Sequence, residues 1–140
     1  MRMGTGFLIR LKNKEGGDAG CFVLTNAHVI GDPFHAAIPS IDAASVRFEG
    51  YDPVRTFQIS DIVWTSPVTQ HDATILKVED CPTDIKPIPM NRELPKATSA
   101  SRLYVIGHPR GNELAFSFQD NRLLDHEGPK AGRPRPRRES

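Results

Sequence analysis

The stretch Cys21-Phe22-Val23-Leu24-Thr25-Asn26-Ala27-His28-Val29-Ile30-Gly31-Asp32-Pro33 decides how this chain is read. Cys21 to Thr25 is rich in aromatic and β-branched residues and predicts a strand. Asn26 to Ile30 follows at once and has room for a single helical turn before Gly31-Asp32-Pro33 stops it. A histidine therefore falls directly after a strand end. Working outward, Gly4 to Leu11 predicts a strand before it, joined through the charged, Gly-rich stretch Asn13 to Gly20 as a hairpin. On the other side, Ala44 to Phe48, Phe57 to Trp64 and Ala73 to Val78 predict three more strands. Pro82 to Ala100 is a Pro-rich connector, and Leu103 to Gly107 and Leu114 to Phe118 predict two late strands. Short strands between turn signals, with no long helix, predict an all-β barrel or sandwich.

Composition agrees with one ordinary domain. The chain has 140 residues, of which 38% are apolar and 25% charged. That balance excludes disorder throughout and a supercharged surface. No apolar run approaches the roughly 18 residues of a membrane span. The 12 Pro and 11 Gly cut the chain into short segments, which disfavours a helical bundle. Cys21 and Cys81 are too few for a disulfide scaffold or zinc knuckle. They are expected as two buried thiols, with one disulfide left open, because sequence does not show whether two sulfurs meet. Met1 to Gly6 carries no secretory signal, so the sequence assigns no compartment and cytoplasm is the default.

The near-neutral total of +1 hides an asymmetry. Residues 128–140 contain Lys130, Arg133, Arg135, Arg137 and Arg138 against Glu139, with three prolines and no large apolar residue. This stretch is expected as a disordered basic tail, leaving 1–127 as the domain.

The chemistry concentrates at two strand ends. His28 follows one strand, and Asp72, 44 residues later, directly precedes another in His71-Asp72-Ala73-Thr74-Ile75-Leu76. A carboxylate that accepts Nδ1–H of an imidazole fixes the tautomer and leaves Nε2 to take a proton from a nucleophile. Taken singly, each residue also has an ordinary structural reading, the His as a hydrogen-bonder and the Asp as a turn cap.

Three segments in order are Gly4-Thr5-Gly6-Phe7-Leu8-Ile9, Val23-Leu24-Thr25-Asn26-Ala27-His28-Val29 and His71-Asp72-Ala73-Thr74-Ile75-Leu76. Together they resemble the trypsin-like (chymotrypsin-fold) serine peptidases, in particular the short-looped bacterial branch. Val105-Ile106-Gly107-His108-Pro109-Arg110-Gly111 resembles the strand and turn that open the second barrel of that family. The resemblance covers about residues 4 to 124. It implies a six-stranded antiparallel β-barrel in a double-barrel fold. Five of the six strands would lie in about 4–80, followed by a connector at 81–101 and only the start of the second barrel at 102–127. It also implies serine endopeptidase chemistry on a peptide or protein substrate, with His28 as general base and Asp72 as its orienting carboxylate, and no cofactor or metal.

The chain departs from the family pattern at the nucleophile. It holds no Gly-x-Ser-Gly, and the serines after Gly111 are Ser117, inside a predicted strand, and Ser140, in the basic tail. The chain is therefore expected to be inactive alone, and to need the second half of the domain for activity. The shift into Pro-Arg composition after Gly128 suggests a frame change or gene break, and a truncated remnant or noncatalytic peptidase-like binding domain is the alternative. Five histidines, His28, His35, His71, His108 and His126, form no metal-ligand spacing. His71 is expected to be exposed or in contact with the pair, and His108 to serve position. No membrane partner is expected. Nucleic-acid binding through Arg133 to Arg138 ranks last, because the body is acidic and carries no such motif.

Overall fold

The computed structural model describes residues 3–12, 15–30, 41–49, 53–80, 82–90, 93 and 102–118. Five strands form one antiparallel sheet: β1 (Gly6–Lys12), β2 (Asp18–Thr25), β3 (Ser45–Phe48), β4 (Arg55–Ser66) and β5 (Ala73–Val78). Their order across the sheet is β1-β2-β5-β4-β3. β6 (Val105–Gly107) and β7 (Ala115–Ser117) pair in a second, two-stranded sheet. No α-helix occurs among the described residues, only the short 3-10 turns Ile41–Ala43 and Pro109–Gly111. Among the described residues, no helix is long and apolar enough to cross a membrane. Each of the seven strands overlaps a segment predicted from sequence.

The curl of the large sheet comes from β4. Its first four residues, Arg55 to Gln58, pair with β3, and Ile59 to Ser66 pair with β5. Register shifts fall between Ile59 and Asp61 and between Ile62 and Trp64. A bulge adds local twist and bends its strand, so one strand can serve two neighbours that face different ways. The result is a curled antiparallel half-barrel with the five strands that the resemblance implies.

The chain divides into two compact units, residues 1–90 with 107–115, and residues 91–106 with 116–140. The core of the first follows strand alternation. Thr74, Leu76 and Val78 are buried on β5 while Lys77 between them is exposed. Leu8, Cys21, Val23, Phe57 and Val78 form one buried cluster, with Val46, Phe48 and Ile85 packed on it. Ile30, Ile59 and Leu76 form another, and Val46 touches both. Phe48 meets Phe57 edge-on at 5.5 Å between ring centres. The buried Thr74 hydroxyl is satisfied by Thr65 across the β4–β5 ladder at 2.9 Å.

Cys21 is buried as expected but is disulfide-bonded rather than a thiol. Burial on a strand is common to both states, so the strand pattern could not separate them. Cys81 lies outside the described residues, as do His35, His126, most of the connector and the basic stretch. In the part of the connector that is described, Ile88 N–H donates to Leu8 O at 2.8 Å and makes a parallel bridge to Ile9.

In the second unit, Tyr104, Phe116 and Phe118 lie against one another. Phe116 and Phe118 stack at 5.8 Å, and Tyr104 meets Phe118 edge-on at 6.1 Å.

Candidate active site

Two turns build the site. After β2, Val29 N–H and Ile30 N–H both donate to Asn26 O, at 3.1 and 3.4 Å. This is the single helical turn expected from sequence, and it carries His28. Before β5, Gln70 N–H and Asp72 N–H both donate to Pro67 O, at 2.9 and 3.1 Å, closing a turn that ends on Asp72. Asp72 has φ +48°, the left-handed region that Asp tolerates better than most residues. β2 and β5 are sheet neighbours, with Thr25 opposite Thr74, so the two turns emerge at the same end.

The structure brings His28 and Asp72 together. His28 Nδ1 lies 2.7 Å from Asp72 Oδ2, and the His28 backbone N–H donates to Asp72 Oδ1 at 3.0 Å. With Nδ1–H given to the carboxylate, the neutral ring keeps its lone pair on Nε2. The His28 side chain is 58% exposed and that of Asp72 26%. Partial burial works to raise the Asp72 carboxyl. Hydrogen bonds from the His28 ring and backbone, the charge of that ring and the Ala27 N–H outweigh it. The carboxyl is held below its ordinary value of 3.8.

The surroundings fix the His28 turn from the N-terminal side. Thr25 Oγ1–H donates to Thr5 O at 2.8 Å, and His108 N–H donates to Thr5 Oγ1 at 2.7 Å. A Cβ on Gly4 would stand 2.5 Å from Val29 Cγ2, so only glycine fits beside this turn. His108 Nδ1 lies 3.1 Å from Asn112 O and 3.4 Å from Glu49 Oε1. His71 is exposed, and its backbone N–H donates to Ser66 Oγ at 3.2 Å. The Asn26 side chain, given no role by the sequence reading, donates its amide to Asp72 O at 3.0 Å and lies 3.5 Å from Asp72 Oδ2. The available signal was its place two residues before the histidine. Ser117 ends β7 and is exposed.

A curled antiparallel sheet that presents a His–Asp pair where two neighbouring strands end is an architecture that hydrolytic domains use to activate a nucleophile. The chain belongs to the trypsin-like peptidase domain family, whose model matches residues 4–139. The match therefore runs through the Pro/Arg-rich stretch as well as the sheet. No curated protein and no solved structure matches the chain.

Proposed function

We propose that this chain carries the base and the orienting carboxylate of a serine endopeptidase, His28 and Asp72, acting on peptide or protein substrates. The observation that supports this reading is the double grip of one carboxylate on one histidine, at ring and backbone together. Asp72 holds the ring orientation and stabilises the imidazolium. His28 Nε2 accepts the proton of an attacking hydroxyl as its oxygen bonds to the substrate carbonyl carbon. The tetrahedral oxyanion then collapses, the C–N bond breaks, and His28 returns the proton to the leaving amine. General-base assistance of this kind contributes about 10²–10⁴-fold.

The hydroxyl is the part this sequence does not supply in the family's Gly-x-Ser-Gly form. The reading therefore requires a longer product or a second chain that provides it. Sequencing the transcript through and beyond codon 140, and labelling the translated product with a fluorophosphonate, tests this. A frame that reaches a Gly-x-Ser-Gly segment, with labelling lost in His28→Ala, is the expected result. The alternative reading is a noncatalytic peptidase-like domain that binds peptide or partner. A stop after Ser140, with no labelling and no complementing chain, would select it.

A further inference from the structure

We propose that Asn26 is a positioning residue that aims the Asp72 carboxylate at His28 by holding the Asp72 main chain in its left-handed conformation. The inference gives a task to a side chain that the acid–base chemistry itself does not use, and it rests on the reading of His28 and Asp72 as a working pair.

Asp72 is one of two described non-glycine residues with positive φ, the other being Asp80. Left-handed backbone is disfavoured for an L-residue, less so for Asp than for most, and contacts on either side hold it here. Both ends of the residue are held. Its N–H donates to Pro67 O at 3.1 Å, and its carbonyl accepts from Asn26 Nδ2 at 3.0 Å. The same Nδ2 lies 3.5 Å from the carboxylate oxygen that the His28 ring contacts. Asn26 meanwhile uses its own carbonyl to close the turn carrying His28. One residue thus fixes the base with its main chain and the carboxylate with its side chain.

The chemistry of the clamp is specific. Both groups it faces on Asp72 are acceptors, so only a donor fits, and an amide –NH₂ carries two N–H groups without a charge. A carboxylate at position 26 would face a carbonyl and another carboxylate. The contacts are solvent-exposed, so they contribute little to global stability. Loss of Asn26 should therefore disturb the pair more than the fold, which separates positioning from a merely structural role.

The test uses the 140-residue chain and needs no nucleophile. In isotope-labelled protein, Asp72 is titrated through its carboxyl ¹³C signal and the His28 tautomer is read from its ring ¹⁵N shifts. Asn26→Ala is expected to move the Asp72 midpoint up toward its ordinary 3.8 and to mix the His28 tautomers, with little change in urea midpoint. Asn26→Asp is expected to move the Asp72 midpoint further up than Asn26→Ala does. In the unsubstituted chain, the Asn26 side-chain NH₂ signals should shift with the same midpoint as Asp72. A folded Asn26→Ala with unchanged Asp72 titration and His28 ring shifts would overturn the proposal. So would Asn26 NH₂ signals blind to the titration of Asp72, a measurement that needs no variant. Failure to find a nucleophile in a longer product would leave these signals where they are, so the clamp and the peptidase reading fail separately.

Discussion

The sheet of β1 to β5 and the β6–β7 hairpin are written in similar amino acids and end in different states. In the sheet, Leu8, Val23, Phe57, Leu76 and Val78 are all buried. In 102–118, Leu103, Tyr104, Val105, Ile106, Leu114, Phe116 and Phe118 are all exposed, Tyr104 at 63% and Phe118 at 61%. The difference is not one of composition. A strand buries an apolar face only when its sheet curls or a second layer covers it. Five strands with three register shifts can curl. Two strands of three residues each have no such means, and their aromatic rings stack on one another instead.

The sharpest way to break this contrast is to truncate one phenylalanine in each region. Phe57 is buried against Phe48 and the main cluster, so Phe57→Ala should cost about 3–5 kcal/mol. Phe118, although stacked, is mostly exposed, so Phe118→Ala should change stability by only about 0.5–1.5 kcal/mol, the scale of an aromatic pair. Urea denaturation of both variants checks the ratio. Equal losses would mean that the hairpin aromatics are packed in solution and that the two regions do not differ in the way described.

A smaller effect sharpens the comparison inside the sheet itself. The Gly4 position lies against Val29, on the turn that carries His28. Gly4→Ala would place a methyl 2.5 and 2.8 Å from the two Val29 methyl carbons, and a β-branched side chain has little freedom to move aside. The expected cost is about 1–3 kcal/mol of overpacking, with displacement of the His28 signals in NMR. Gly111→Ala offers the contrast. It approaches a side chain too, Met3, but a flexible thioether can swing away, leaving mainly the strain of φ +74°.

What could be read in advance follows from the same physics. Strand alternation and turn residues are local, so all seven strands were legible, and Ala73 to Val78 was predicted with its observed bounds. The pairing of His28 with Asp72 was legible only because each lies at a strand end within a resemblance that spans several segments. The state of Cys21 was not, because a disulfide is a meeting of distant atoms and leaves no periodic trace. Nor was the role of Asn26. Its partner is a backbone carbonyl in left-handed conformation, a feature that a sequence does not display. The curl of β4 was hidden for a similar reason. Its bulges lie within one continuous strand and become visible only through the two partners they reconcile.

The smallest predicted effect is the pH dependence of the pair, and its sign is fixed. The folded chain holds the Asp72 carboxyl below 3.8, which means that it binds its proton less readily than the unfolded chain does. The ionised carboxylate therefore contributes stability that is fully present above the unfolded value. That contribution is lost as pH falls through the lower folded value. Asp72→Asn removes the titration while keeping an acceptor for the His28 backbone N–H. The stability difference between the unsubstituted chain and Asp72→Asn should thus shrink as pH falls below 3.8. Denaturation series at several pH values measure it directly. The same series on Phe57→Ala should run parallel to the unsubstituted chain, because a core deletion has no proton linkage. A gap that widened as pH fell below 3.8 would mean that burial, rather than the hydrogen bonds from His28 and Ala27, governs the carboxylate, and that the two turns are further apart in solution than the 2.7 Å contact indicates.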